Sequence, residues 1–375
     1  MKTRLRVAFV HDACSDYRRP LFRLLAERFD IRFFFLRGEA GDLPPGSELV
    51  PARRIPKMSE LLIAPGLAGR IAAAHRQAPL DLICLPEPAS FSAYAAWRAA
   101  RRLRLPYVAW SGEWRTARHP RRWLTAPLER AIVRGASVCL AYGSRASLRL
   151  QALGADPARI LLTGNASGYA FHPAPPAQKR KARRDWGIGS RHVILFLGRL
   201  VNSKAPDLLV KACAKLRRAD TFLLVAGDGP MRDSLRRQAA RLGLDNFLCT
   251  GRAVRGAREK DLLYSLADVF VLPSRPGRTA EPWGLVLNEA ASAALPIVTV
   301  ESVGAVGDLI RDGENGIVVP AGAPQALAEG IDSCLRSIRT ARAHGRRARA
   351  ASAEFTVRRM ADAFGRAFRL AAGDR

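Results

Sequence analysis

Short apolar runs, each followed by a polar loop and then by a helical stretch with one apolar face, recur from end to end of this 375-residue chain. LRVAFV at 5–10 reads as a buried strand and HDACSDYRRP as its loop, and Leu21, Leu24 and Leu25 share one face of a helix from about Pro20. The alternation continues through IRFFFL at 31–36, an irregular Pro- and Gly-bearing stretch to about residue 56, and a helical segment near 59–77. LDLICL, a helix from about 90 to 103 and the strand PYVAW follow. Strands this uniformly apolar need cover on both faces, so the order predicts a parallel sheet with helices on either side.

The pattern breaks once. FHPAPPAQKRKARR, residues 171–184, combines prolines with a basic run and reads as a linker. Strand and helix then alternate again: HVILFLG, a helix from Pro206 to about Arg217, TFLLVAG, a helix to about Leu242, NFLCTG, a helix near 258–267, DVFVLPS, a helix from about Leu285, PIVTV and GIVVP. The expectation is an α/β protein of two facing, doubly wound Rossmann-like domains with a cleft between them, spanning 1–172 and 191–355, with a linker over 173–190. A last helix over 356–375 would pack back on the first domain. In open α/β sheets ligands lie beyond the C-terminal strand ends, so the chemistry belongs to the loops that follow strands.

Composition narrows the ligand. The formal charge of +28 calls for an anionic partner. Lys and Arg exceed Asp and Glu by 27 to 13 in residues 1–170 and by 34 to 20 in 171–375, so no detachable basic tail carries the charge. The six cysteines are scattered, with no CxxC pair and no nearby histidine in ligand spacing, so neither a zinc site nor a disulfide framework is indicated. No apolar run approaches the roughly 18 residues of a membrane span, and the N-terminal apolar stretch is too short for a signal peptide. A cytoplasmic protein, peripheral at most on the cytoplasmic face of an inner membrane, is expected. No nucleic-acid module or stacking platform of clustered aromatics is present, so nucleic acid is not the expected partner.

Two loops concentrate the chemistry. In FLGRLVNSKAPDLL, Gly198 permits close backbone approach, Arg199 offers a planar fork of donors and Lys204 a point charge, a set suited to a diphosphate. In EPWGLVLNEA, Pro282 and Gly284 turn the chain into a helix whose first N–H groups form an anion site without a side chain. Glu281 lies before that helix and Glu289 one turn into it, placed to hold the two ends of a nucleotide-linked ligand. Taken singly, either acid is more readily an ordinary residue, Glu281 a solvated loop acid and Glu289 a surface helix residue.

GRLVNSKAPDLL, LLVAGDGP, FLCTGR and EPWGLVLNEA, in this order and spacing, resemble the retaining glycosyltransferases of family 4, which have the glycosyltransferase-B fold; the resemblance is specific over about 165–320. It implies that Arg199 and Lys204 bind the donor diphosphate, that Glu281 and Glu289 form the E-x7-E pair at the donor sugar and the ribose, and that the amides of Gly284, Leu285 and Val286 meet the phosphate. Gly198 belongs to the same donor site, and Arg252 and Ala253 would lie near the base. In LLTGNASGYAFHP, Ala166 stands where the family usually has glycine. The first half is less similar: it has neither the glycine-rich loop after the first strand nor the histidine after the strand PYVAW. His119 and Glu113, in WSGEWRTARHP, are candidates for that position, and Asp16 and Tyr17, beside Arg18, for the acceptor side.

The resemblance implies transfer of a sugar from a nucleoside diphosphate, UDP or GDP foremost, to a saccharide or lipid-linked acceptor, in polysaccharide or glycolipid assembly. Neither cofactor nor metal is expected, since no Asp-x-Asp occurs. A glycoside hydrolase with paired carboxylates is the alternative, and a basic nucleic-acid-binding protein a second. Arginines around Trp97, Trp114 and Trp123 suggest contact with anionic lipid head groups.

Overall fold

The computed structural model describes residues 4–38, 43–55, 58–115, 122–277 and 280–373, with backbone alone at 54–55, 58–62 and 122–124. The chain divides into two compact units, Met1–Gly168 with Thr356–Arg375, and Tyr169–Phe355.

The first unit runs β1 (Arg6–Ala13), α1 (Arg19–Arg28), β2 (Asp30–Arg37), β3 (Ser47–Leu49), β4 (Arg53–Ile55), β5 (Met58–Ile63), α2 (Leu67–Gln77), β6 (Leu82–Leu85) and α3 (Phe91–Leu103). After these come β7 (Tyr107–Ser111), α4 (Arg122–Arg134), β8 (Val138–Ala141), α5 (Ser144–Ala152) and β9 (Ile160–Leu162). Seven strands form one parallel sheet in the order β3-β2-β1-β6-β7-β8-β9, while β4 and β5 pair antiparallel beside it. One sheet face is covered by α2, α3 and α5. The other is covered by α1 and by the last helix of the chain, Val357–Ala372. That helix belongs here because Met360, Phe364 and Phe368 are fully buried, with the Phe364 ring 5.7 Å from Phe9 and 5.0 Å from Trp110. Each such side chain contributes roughly 1.5–3 kcal/mol by leaving water.

The second unit opens on α6 (Pro176–Asp185), and then runs β10 (His192–Leu197), α7 (Pro206–Leu216), β11 (Thr221–Ala226), α8 (Arg232–Arg241), β12 (Phe247–Cys249), α9 (Gly256–Leu266) and β13 (Val269–Leu272). It closes with α10 (Leu285–Ser292), β14 (Ile297–Val300), β15 (Ile317–Val319), α11 (Pro324–Arg336) and α12 (Ile338–Ser352), and α13 is the helix Val357–Ala372 of the first unit. Its six parallel strands lie in the order β12-β11-β10-β13-β14-β15. This is the Rossmann order, and its direction reverses between β10 and β13, so the loops leaving those two strands open on the switch point where such sheets hold ligands. In the first unit the same reversal falls between β1 and β6. Both units are thus Rossmann-like.

Two expectations need correction. Residues 58–63, expected to be helical, form β5 and pair with β4; Pro65 and Gly66 cut the segment off from α2, leaving it too short to form a stable helix by itself. The segment expected as linker is a helix of the second unit. Pro176 occupies its first turn, where the missing N–H costs nothing, and Ala182 and Ile188 are buried as α6 packs on α9. The proline cluster therefore starts a helix. Among the described residues no helix is long and apolar enough to cross a membrane.

Candidate functional site

The loop after β10 rests on glycines contributed by its neighbour. Gly198 donates its N–H to the Ala226 carbonyl at 3.0 Å, closing β10 against β11. A Cβ on Gly227, whose φ is +147°, would fall 1.9 Å from the Gly198 carbonyl oxygen, and one on Gly229 would fall 2.5 Å from that of Leu200. The GDG of LLVAGDGP is thus the floor on which residues 198–200 lie. Above it Arg199 is exposed, with no side-chain partner among the described residues. A single 3-10 turn, Asn202–Lys204, then leads through Ala205, at φ 53°, into α7.

Arg275, in the loop after β13, ties the two switch-point loops together. Its guanidinium grips the Asp207 carboxylate with two bonds of 2.8 and 2.5 Å and donates to the Asn202 carbonyl at 3.1 Å. Its backbone N–H donates to Ser203 at 2.9 Å. The turn that carries Lys204 is therefore held from the β13 side. Lys204 Nζ forms an ion pair with Glu281 Oε2, and these side chains are only 19% and 14% exposed.

EPWGLVLNEA is anchored at both ends. The Glu281 carbonyl accepts from Gly304 N at 2.9 Å and that of Trp283 from Ala305 N at 3.2 Å. Trp283 is buried, with its indole N–H donating to Asn288 Oδ1 at 2.8 Å. Gly284 turns into α10 at φ +85°, where a Cβ would meet Leu272 at 2.8 Å, so glycine is required both for conformation and for space. The N–H groups of Gly284, Leu285 and Val286 carry no hydrogen bond to protein among the described residues, as at any uncapped helix start.

Glu289 is 4% exposed, far from a surface helix acid. Lys260 Nζ donates to its Oε1 at 2.6 Å and Tyr264 OH to its Oε2 at 2.9 Å. Burial and the carboxylate beside it push the Tyr264 phenol well above its ordinary pKa, so it remains a donor. Each acid of the pair thus has its own lysine. Arg252, in the loop after β12, is 62% exposed and pairs with Glu259 at 2.5 Å, and Ala253 beside it is exposed.

In the first unit Asp16 is almost fully exposed and pairs with Arg19 at 2.9 Å, and Tyr17 is half-exposed. Beneath them Arg18 is buried, donating to Asn165 Oδ1 and Tyr142 OH at 2.7 Å each and lying 4.9 Å from the Trp110 ring centroid. Burial and the Arg18 charge hold His11 down at a pKa of about 4. In the Asn165-Ala166 segment the left-handed backbone falls on Gly164 and Gly168, so alanine at 166 meets no conformational penalty. His119 lies outside the described residues.

Glu113 lies 3.3 Å from the Arg149 guanidinium, which also pairs at 2.5 Å with the buried Glu129. Next to it Glu87, which follows β6, accepts from Ser111 Oγ at 2.7 Å and from the N–H groups of Gly112 and Glu113 at 3.0 and 3.3 Å. Burial, then the Glu113 charge, raises the Glu87 carboxyl to about 8. Trp97 and Trp114 are partly buried against the core, with Arg101 5.3 Å and Arg145 4.9 Å from their rings, while nothing is described of the Trp123 side chain. Among the described residues no group of three or more His, Cys, Asp or Glu could hold a metal ion.

Sequence reasoning missed Glu87, Arg149, Lys260, Tyr264 and Arg275. Only Glu87 carried a usable signal, an acid directly after a buried strand in LPEP; the others stand on helices or in a loop whose neighbours are set by the sheet order.

Residues 178–351 match the family model for glycosyl transferases group 1, and residues 13–166 match that of the glycosyl transferase 4-like domain. The GDP-mannose-dependent alpha-(1-6)-phosphatidylinositol monomannoside mannosyltransferase of Mycolicibacterium smegmatis is 35% identical over 180 residues, 47% of this chain and 46% of that relative. The D-inositol 3-phosphate glycosyltransferase of Salinispora tropica is 32% identical over 57% of this chain and 47% of its own length. The chain spans about half the length of these curated relatives. Among solved structures, Anabaena HepE in complex with UDP and glucose superposes with a TM-score of 0.77 at 19% identity, covering 96% of this chain and 98% of that one. Sucrose-phosphate synthase from Thermosynechococcus elongatus does so with 0.76 at 20% identity, covering 98% of each.

Proposed function

Given two Rossmann-like units of the glycosyltransferase-B type, each matched by a glycosyltransferase model, we propose that the chain is a retaining glycosyltransferase. It moves a sugar from a nucleoside diphosphate to an acceptor hydroxyl without a metal ion. The observation that carries this reading is the Lys204–Glu281 ion pair, which joins the loops after β10 and β13 beside the Gly284 turn into α10.

The barrier to such a transfer lies in separating an anionic diphosphate from an oxocarbenium-like sugar. Fixed positive charge at the leaving group lowers that barrier most. Arg199, Lys204 and the amides of Gly284, Leu285 and Val286 supply it. Glu281 holds Lys204 until the diphosphate replaces it as partner, and then accepts hydroxyls of the donor sugar. Glu289 accepts from the ribose, Gly198 lets the backbone approach, and Arg252 and Ala253 border the base. Each carboxylate being matched with its own lysine tells against a hydrolase, in which one acid must carry a proton.

The Mycolicibacterium relative is named GDP-mannose-dependent and the Anabaena structure holds UDP, so GDP- and UDP-sugars are the donors to test first. The acceptor, a saccharide or a lipid-linked one, is assigned to the first unit, with Asp16, Tyr17, Glu113 and His119 on its side. Work at a cytoplasmic membrane surface, in polysaccharide or glycolipid assembly, accords with the +28 charge. The test is a thermal-shift panel of UDP, GDP, ADP and their sugar conjugates on the wild type and Lys204→Ala. A shift with one nucleotide, lost in the variant, is expected; no shift with any of them in the folded wild type would refute the donor site.

A further inference from the structure

Glu289 is a buried carboxylate on an eight-residue helix whose neighbouring positions Leu287, Ala290 and Ala291 are apolar and buried. Burying a charge is costly unless other groups are built to receive it. Here they come from α9. Lys260 and Tyr264, one turn apart, share a face of that helix and reach separate oxygens of the carboxylate, at 2.6 and 2.9 Å. Lys260 is itself restrained, with Nζ 5.2 Å from the Tyr169 ring centroid, and that ring is pinned by its hydroxyl, which donates to Asp261 Oδ1 at 2.6 Å. Asp261 also accepts from the His172 N–H at 3.0 Å, so the platform under Lys260 is tied to the segment that enters the second unit.

A carboxylate offers about four lone-pair sites, two on each oxygen. With one site on Oε1 taken by Lys260 and one on Oε2 by Tyr264, each oxygen keeps one acceptor direction, and the plane of the group cannot rotate. Two remaining acceptors at fixed spacing match the vicinal hydroxyls of a ribose. We propose that Lys260, seconded by Tyr264, is a positioning residue that orients Glu289 as a two-point acceptor and thereby makes the site select ribonucleoside over 2′-deoxyribonucleoside diphosphates. This rests on the reading of Glu289 as the ribose acid. It adds a source of sugar selectivity from α9, an element outside the two switch-point loops.

The experiment is calorimetric titration of the full chain with UDP and GDP and with their 2′-deoxy counterparts. The wild type is expected to hold the ribonucleotide about tenfold or more tighter, the value of one hydrogen bond to a charged group. Lys260→Met should shrink that ratio to about threefold or less by weakening the ribonucleotide alone, because a purely structural loss would weaken both nucleotides alike. Lys260→Arg should restore most of it. Tyr264→Phe removes one hydroxyl from an otherwise unchanged ring, so it provides the same test should Lys260→Met fail to fold. A full ribo-to-deoxy ratio in folded Lys260→Met and in Tyr264→Phe would overturn the inference, leaving Lys260 and Tyr264 as structural partners only. Glu289→Gln separates the two levels. If it too keeps the ratio, or if the wild type binds neither class or shows no preference, the reading of Glu289 falls, and the inference with it.

Discussion

Substituting Gly227 by alanine should displace the loop after β10, which carries Gly198 and Arg199. Two costs add. A φ of +147° is one that L-residues rarely adopt, which costs on the order of 1–3 kcal/mol. The new Cβ would also stand 1.9 Å from the Gly198 carbonyl oxygen, where contacts below 3.0 Å are not tolerated, so the loop after β10 must move by at least 1.1 Å. That contact is with backbone, so no rotamer change can relieve it, and overpacking of this kind adds about 1–3 kcal/mol. Together the loss is about 4 kcal/mol, which for a unit of 150–250 residues lowers the melting temperature by about 8–16 °C. Gly243→Ala is the matched control, since its φ is +64° but nothing lies within 4 Å of its Cβ. It should cost about 1 kcal/mol. Scanning calorimetry of both variants, with the nucleotide panel repeated on Gly227→Ala, reads the result. A Gly227→Ala protein that melts within about 2 °C of wild type and still responds to nucleotide would refute the account of GDG as the floor of the loop after β10.

Glu87 gives the first unit a pH dependence of stability. A carboxyl raised to about 8 in the folded state stays protonated where the unfolded chain has already ionised, so its contribution is lost as pH rises from the usual carboxylate range through about 8. His11, lowered to about 4, works in the opposite direction, its contribution being lost as pH falls from about 6.5 through 4. Above pH 6.5, where only Glu87 is still titrating of these two, thermal stability should fall toward pH 8, and Glu87→Gln should flatten that slope; an unchanged slope would count against the buried proton. Arg149→Met leaves Glu129, 3% exposed, without its guanidinium and should destabilise the first unit by about 3–5 kcal/mol, measured by urea unfolding. Transfer activity should survive excess chelator, and restoration by Mg²⁺ of an activity that chelator had abolished would overturn metal-independent transfer.

Much of the fold was legible because strands buried on both faces leave uninterrupted apolar runs. IRFFFL, HVILFLG and TFLLVAG could hardly be anything but sheet centre, and their alternation with helical stretches implied parallel order. Where chain-local signals conflict the reading failed: MSELLI has helix formers but too little length before Pro65, and the Pro175-Pro176 pair reads as a breaker although proline at a helix start is favourable.

The amino-acid order by itself determined the residue types, the two sheets and the loops that follow their strands, because apolar periodicity and glycine placement are local properties. It brought Gly198, Arg199, Lys204, Glu281 and Glu289 into view as candidates. Only the tertiary structure decided what each faces. The order β12-β11-β10-β13-β14-β15 sets the loops after β10 and β13 side by side, which makes Glu281 the partner of Lys204 across 77 residues. α9 sets Lys260 and Tyr264 against Glu289, and β6 sets Glu87 under the loop that follows β7. A side chain's charge state and partner depend on burial and on neighbours remote in sequence, and those exist only once the sheets have closed.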